Sequence, residues 1–206
     1  MLDILCFGNS LTQGFWHYGL EEPHPYALAL KETLVEEEIV EGEIEIDVEG
    51  KPGDLVNCPP GQFIDRMRRR LEGEKTYDWV IVLGGTNDLG YGSFSAESIY
   101  AGLQKTWSLA LASSPTTKVL ALTVPESAYV STKLKRNRDA LNKSILEHQE
   151  DRYFAFDLHS ALPYRAMDDT IKTKIWDDGL HLTDKGYDMM GQLIARRLAE
   201  LLPGTS

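Results

Sequence analysis

The sequence predicts an α/β fold, a three-layer α/β/α sandwich around a central, mainly parallel five-stranded sheet in the flavodoxin-like order 2-1-3-4-5. Short apolar runs of strand length alternate with stretches of helical periodicity, which is the signature of βαβ units. The runs, such as Ile4-Leu-Cys-Phe7 and Val80-Ile-Val-Leu83, are nearly unbroken, as expected of strands buried on both faces. Gly-containing turns follow several of them, and open parallel sheets bind ligands just beyond the carboxyl ends of their strands.

Residues 2–7 form the first strand, stopped by Gly8 and followed by Asn9-Ser10-Leu11-Thr12. A Gly-bounded aromatic loop covers 13–20. Leu30, Leu34 and Val35 recur at helical spacing, so 26–38 reads as a helix with a charged outer face. Ile44, Ile46 and Val48 alternate with acids, the pattern of a half-exposed edge strand. Glu49-Gly-Lys-Pro-Gly-Asp54 is a turn cluster. A helix over 62–71 places Arg66, Arg68, Arg69 and Arg70 on its wet face. Residues 77–83 are the clearest strand, ended by Gly84-Gly-Thr-Asn-Asp88. A helix over 96–112 and a strand over 118–124 follow, the latter ended by Pro125. A charged helix over 133–147, a short strand over 153–156 and an irregular stretch lead to Trp176-Asp-Asp-Gly-Leu-His-Leu-Thr183. The last helix spans 184–201, with Met190, Leu193, Ile194, Arg197, Leu198 and Leu201 at i, i+3, i+4, i+7 spacing. No repeat or linker divides the chain, so residues 1–206 are expected to form one domain.

A net charge of -11 argues against nucleic acid or an anionic membrane as a partner. No run approaches the roughly 18 apolar residues of a membrane span. The start lacks a basic n-region, so a cytoplasmic location is expected, although a trimmed secreted enzyme would read the same. The two cysteines, Cys6 in a strand and Cys58 beside Pro59-Pro60, read as idle thiols rather than a disulfide.

If the strands are parallel, Gly8-Asn-Ser10, the 50–54 turn, the 84–88 segment and Asp178-Gly-Leu-His181 converge on one rim. Acyl transfer needs a hydroxyl, a base that takes its proton, a carboxylate that orients the base, and fixed donors for the oxyanion. Ser10 supplies the hydroxyl and His181 the imidazole. Asp178, three residues earlier, lies within reach of the ring. The Gly53 and Ser10 amides and the Asn87 side chain are candidate donors. Asp177, Asp178, His181 and His159 also allow a metal-ligand reading, but no recognised metal spacing repeats.

Gly8-Asn-Ser-Leu-Thr12, Gly53, Gly85-Thr-Asn-Asp88 and Asp178-Gly-Leu-His181 resemble the four blocks of the SGNH (GDSL) hydrolases, in order and across almost the whole chain. The flanking residues resemble the arylesterase, acetylesterase and carbohydrate esterase members. The resemblance implies hydrolysis of small esters through Ser10, Gly53, Asn87 and His181, with no metal or organic cofactor. Asn9 replaces the Asp that usually precedes the serine, which removes a charge but keeps hydrogen-bonding capacity. The expectation is therefore a serine esterase removing short acyl groups, above all acetyl, from alcohols, sugars or aryl groups. A thioesterase or lysophospholipase of the same mechanism, and a non-catalytic binding protein on the same scaffold, are the rival readings.

Asp88 reads as structural, bonding amides of neighbouring loops. His17, His24, His148 and His159 are assigned surface roles. Phe15, Trp16, Tyr18 and Trp176 read equally as pocket lining or loop packing. Lys133, Lys135, Arg136 and Arg138 are assigned to a solvated helix face.

Overall fold

A computed structural model describes residues 1–73, 75–91 and 94–202. Five parallel strands form one sheet: β1 (Leu2–Gly8), β2 (Ile44–Gly50), β3 (Trp79–Leu83), β4 (Lys118–Leu122) and β5 (Tyr153–Phe156). Their spatial order is β2-β1-β3-β4-β5, as the sequence predicts. β2 is an edge strand, and its Val48 side chain remains partly exposed.

The unbroken apolar runs follow from burial on both faces. Ile4, Cys6, Trp79, Ile81, Leu120 and Leu122 point into one core, shared with α2 (Ala27–Glu36) and α9 (Asp184–Ala199). Leu5, Phe7, Val80, Val82, Val119 and Ala121 point into the other. That second core is closed by α3 (Phe63–Leu71), α5 (Ala96–Ser113) and α6 (Thr132–Glu147). Period-2 alternation thus survives in the fold while disappearing from the hydropathy pattern.

Several boundaries differ from the sequence expectations. β3 begins at Trp79 rather than at residue 77, and β4 stops at Leu122 rather than at 124. The stretch read as irregular contains α7 (Leu158–Ala161) and α8 (Asp169–Ile175). Two further short helices stand at strand ends, α1 (Ser10–Gln13) and α4 (Thr86–Gly90). Elements of four or five residues are too short to show helical periodicity.

Arg66 corrects the wet-face assignment of α3: it is buried, whereas Arg68 and Arg69 are exposed. It lies on the stripe of Phe63 and Met67, three residues after the first, and stacks over Phe7. Arg138 likewise departs from the solvated face assigned to α6, being buried on the stripe of Leu134, Leu141 and Ile145. His148 is not a plain surface residue either. Its ring bonds Tyr100 and packs against Trp107 and Tyr153. No helix among the described residues is long and apolar enough to cross a membrane.

Candidate active site

The site stands at the carboxyl ends of β1, β2 and β3. Gly8 ends β1 because the next turn folds back tightly: a Cβ there would lie 2.1 Å from Thr12 Oγ1 and 2.6 Å from the Leu83 carbonyl oxygen. The turn lifts Ser10 into the first position of α1, with only 3% of its surface exposed. Asn9 caps that helix, its Oδ1 accepting from the Leu11 amide at 3.3 Å. Among the described residues the buried Asn9 Nδ2 has no partner, so only the oxygen end of the amide is used.

His181 and Asp178 come from a tight loop before α9. Trp176 and Leu182 form an antiparallel bridge, and the Asp177 amide donates to the His181 carbonyl at 2.9 Å. Gly179 takes φ +79 where the loop turns, and its carbonyl accepts from the Ala128 amide at 2.7 Å. A side chain at Gly179 would also strike Ala128, at 2.5 Å from its Cβ. Thr183 then caps α9.

The three side chains meet. Ser10 Oγ lies 3.0 Å from His181 Nε2, and His181 Nδ1 lies 2.8 Å from Asp178 Oδ2. These contacts fit the tautomer that donates from Nδ1 to the carboxylate and accepts the hydroxyl proton at Nε2. Asp178 Oδ1 accepts from the backbone amides of His181 and Leu180 at 2.7 and 2.9 Å. Burial pushes the Asp178 carboxyl up, but the bonds from the amide and ring of His181 and from the Leu180 amide outweigh it. Its pKa therefore falls below the ordinary carboxylate value.

Gly53 occupies the third position of the turn Lys51-Pro-Gly-Asp54, with φ +74 and an Asp54 N to Lys51 O bond of 3.2 Å. Among the described residues, the amides of Ser10 and Gly53 donate to nothing in the protein. Asn87, in α4, donates from Nδ2 to the Asp54 carbonyl at 2.9 Å, and its second amide hydrogen remains. Asp88 is structural as expected: its carboxylate accepts from the amides of Val56 and Asn57 at 3.0 Å each.

Arg66, missed by the sequence reading, braces the rim from below. It donates to the Gly8 carbonyl at 3.1 Å, the Glu49 carbonyl at 2.7 Å, Glu49 Oε1 at 3.1 Å and Asp54 Oδ2 at 2.7 Å. One guanidinium thus joins the ends of β1 and β2 to the turn that carries Gly53. A lone cation on an apolar stripe was the available signal.

Of the four aromatic candidates, Phe15 packs on the His181 ring, with centroids 4.8 Å apart, and its carbonyl accepts from Tyr187 Oη at 2.7 Å. Trp16 donates its Nε1–H to the Glu22 carbonyl. Tyr18 is exposed, and Trp176 is buried against Tyr164, so Trp176 packs the core. Asp177 Oδ2 accepts from the His17 amide at 2.7 Å, tying the aromatic loop to the histidine loop. The His159 ring turns away, 3.2 Å from the Val124 carbonyl oxygen. Among the described residues, no three His, Cys, Asp or Glu side chains converge in a metal-binding group.

Comparison with solved structures finds the same fold in proteins described as esterases. The M. smegmatis aryl esterase superposes with a TM-score of 0.74 at 21% identity, covering 98% of this chain and 100% of the other. Est24, a carbohydrate acetylesterase from Sinorhizobium meliloti, gives 0.71 at 22% identity, with 98% and 100% coverage. A carbohydrate esterase family 3 protein from Talaromyces cellulolyticus gives 0.69 at 16%, with 98% coverage of both. A comparison with curated protein sequences gave no match. The profile of the GDSL-like lipase/acylhydrolase family matches residues 6–189, and the chain belongs to that family of ester hydrolases.

Proposed function

We propose that the protein is a serine esterase that removes short acyl groups, above all acetyl, from alcohols, sugars or aryl groups. The observation that carries this reading is the run of contacts from Ser10 Oγ through His181 to Asp178, at 3.0 and 2.8 Å. Ser10 Oγ attacks the ester carbonyl carbon while His181 Nε2 takes the hydroxyl proton. Asp178 holds the ring and stabilises the imidazolium. The oxyanion that forms is stabilised by the amides of Ser10 and Gly53 and by Asn87 Nδ2. Collapse breaks the bond to the leaving alkoxide, which receives the proton from His181. A water molecule, deprotonated by the same nitrogen, then attacks the acyl-Ser10 ester, releasing the acid and restoring the hydroxyl.

The esterase names of the structural relatives support aryl and sugar acetates as substrates. Nitrophenyl esters from acetyl to dodecanoyl, assayed beside Ser10→Ala, test the reading. The rate is expected to peak at the shortest chains. Ser10→Ala is expected to abolish turnover and labelling by a fluorophosphonate while leaving the melting temperature nearly unchanged. A maximum at eight carbons or beyond defeats the short-chain assignment, and undiminished turnover by the variant defeats the nucleophile.

A further inference from the structure

Beside Asn87 lies a cavity of about 360 Å³, large enough for a small-molecule moiety. Its lining includes two residues tied to the proposed centre, Asn87 and Leu180, the latter next to His181 in the chain. Val124, Pro125 and Leu134 make much of the remaining wall apolar. Within that wall sits the guanidinium-bearing side chain of Arg138, with 4% of its surface exposed.

Among the described residues two arginines are buried, and they differ. Arg66 donates to four protein oxygens. Among the described residues, Arg138 makes no hydrogen bond and no ion pair, and its Nε is buried without a partner. A guanidinium has five N–H donors and stays protonated, so burying one unpartnered is costly unless a ligand completes it. The charged groups around it are Glu126, Asp139 and Arg165. Glu126 is already engaged, its Oε2 accepting from the Tyr164 and Arg165 amides at 2.9 Å each.

We propose that Arg138 binds a carboxylate carried by the substrate, on the part of the ester that extends past Asn87 into this cavity. A planar carboxylate matches the fork of a guanidinium and carries the single charge that one arginine balances. A dianion would face Glu126 with one charge uncompensated. The substrate class narrows accordingly, to esters with an apolar spacer and a carboxylate on the alcohol or the acyl half. This inference rests on the esterase reading above.

Two pairs of esters test it in the unmodified enzyme. The first is 4-acetoxybenzoate against its methyl ester, with the carboxylate on the alcohol half. The second is phenyl hydrogen adipate against phenyl methyl adipate, with the carboxylate on the acyl half. One acid is expected to exceed its methyl ester in kcat/KM by about tenfold or more, and the pair that does so identifies the half that enters the cavity. Arg138→Met, of similar bulk, is expected to bring that ratio close to one, and Arg138→Lys to keep part of it. Equal rates within both pairs overturn the assignment, as does a preference that survives in Arg138→Met. Calorimetric titration with 4-hydroxybenzoate separates this inference from the esterase reading, since it needs no turnover. Binding that is lost in Arg138→Met upholds the site even if no ester is cleaved, and absence of binding to the unmodified protein overturns it even if acetates are cleaved.

Discussion

Asn87 is asked to do two things with one amide group. One hydrogen is held by the Asp54 carbonyl, which locks the side chain against the turn that carries Gly53. The other is the proposed oxyanion donor, fixed in direction before substrate arrives. Asn87→Ala is therefore expected to lower kcat by about 10²–10³ with little change in KM. A loss below about tenfold would remove Asn87 from that role. Ser10, Asp178, His181, Gly53 and Asn87 were legible in sequence as candidates because few residue types suit acyl transfer and the segments that carry them fall at strand ends sharing one rim. Arg66 and Arg138 were not, because charge normally signals solvent. Their burial shows only when Phe63, Met67, Leu134 and Leu141 are laid out on the helices they share with them.

α3 does more than cover a sheet face. Through Arg66 it ties the ends of β1 and β2 to the turn that carries Gly53, by a pair with Asp54 in which both side chains are less than 5% exposed. Breaking a buried pair from one side leaves the other charge stranded. Arg66→Met is expected to cost about 3–5 kcal/mol in chemical denaturation, whereas Arg68→Met, on the exposed face of the same helix, should stay within about 0.5 kcal/mol. Equal effects of the two would refute the brace. The long helices and all five strands were readable from periodicity and length. α1 and α4 were not, yet these short helices carry Ser10 and Asn87. The elements that carry these candidate site residues are thus held by turn geometry and side-chain caps instead of by hydrophobic periodicity.

At the level of the whole molecule, acid stability follows from depressed carboxyls at separate places. Burial raises Asp47, Glu126 and Asp178, but their hydrogen bonds and nearby cations outweigh it, and all three end below the ordinary carboxylate range. The unfolded chain therefore binds protons first as pH falls, so stability is lost as pH drops through that range toward the lower folded values. Above it, this contribution is fully present. Melting temperature should fall steeply on acidification there. Asp178→Asn should blunt the fall, and an unaltered slope in that variant would show that Asp178 contributes nothing to it. The strand order was readable at this scale because alternating strand and helix segments leave few right-handed, uncrossed topologies.

Ser10 and His181 stand 171 positions apart. Their contact closes a long loop and needs both the turn after β1 and the loop before α9, a helix packed against α2, to be in place.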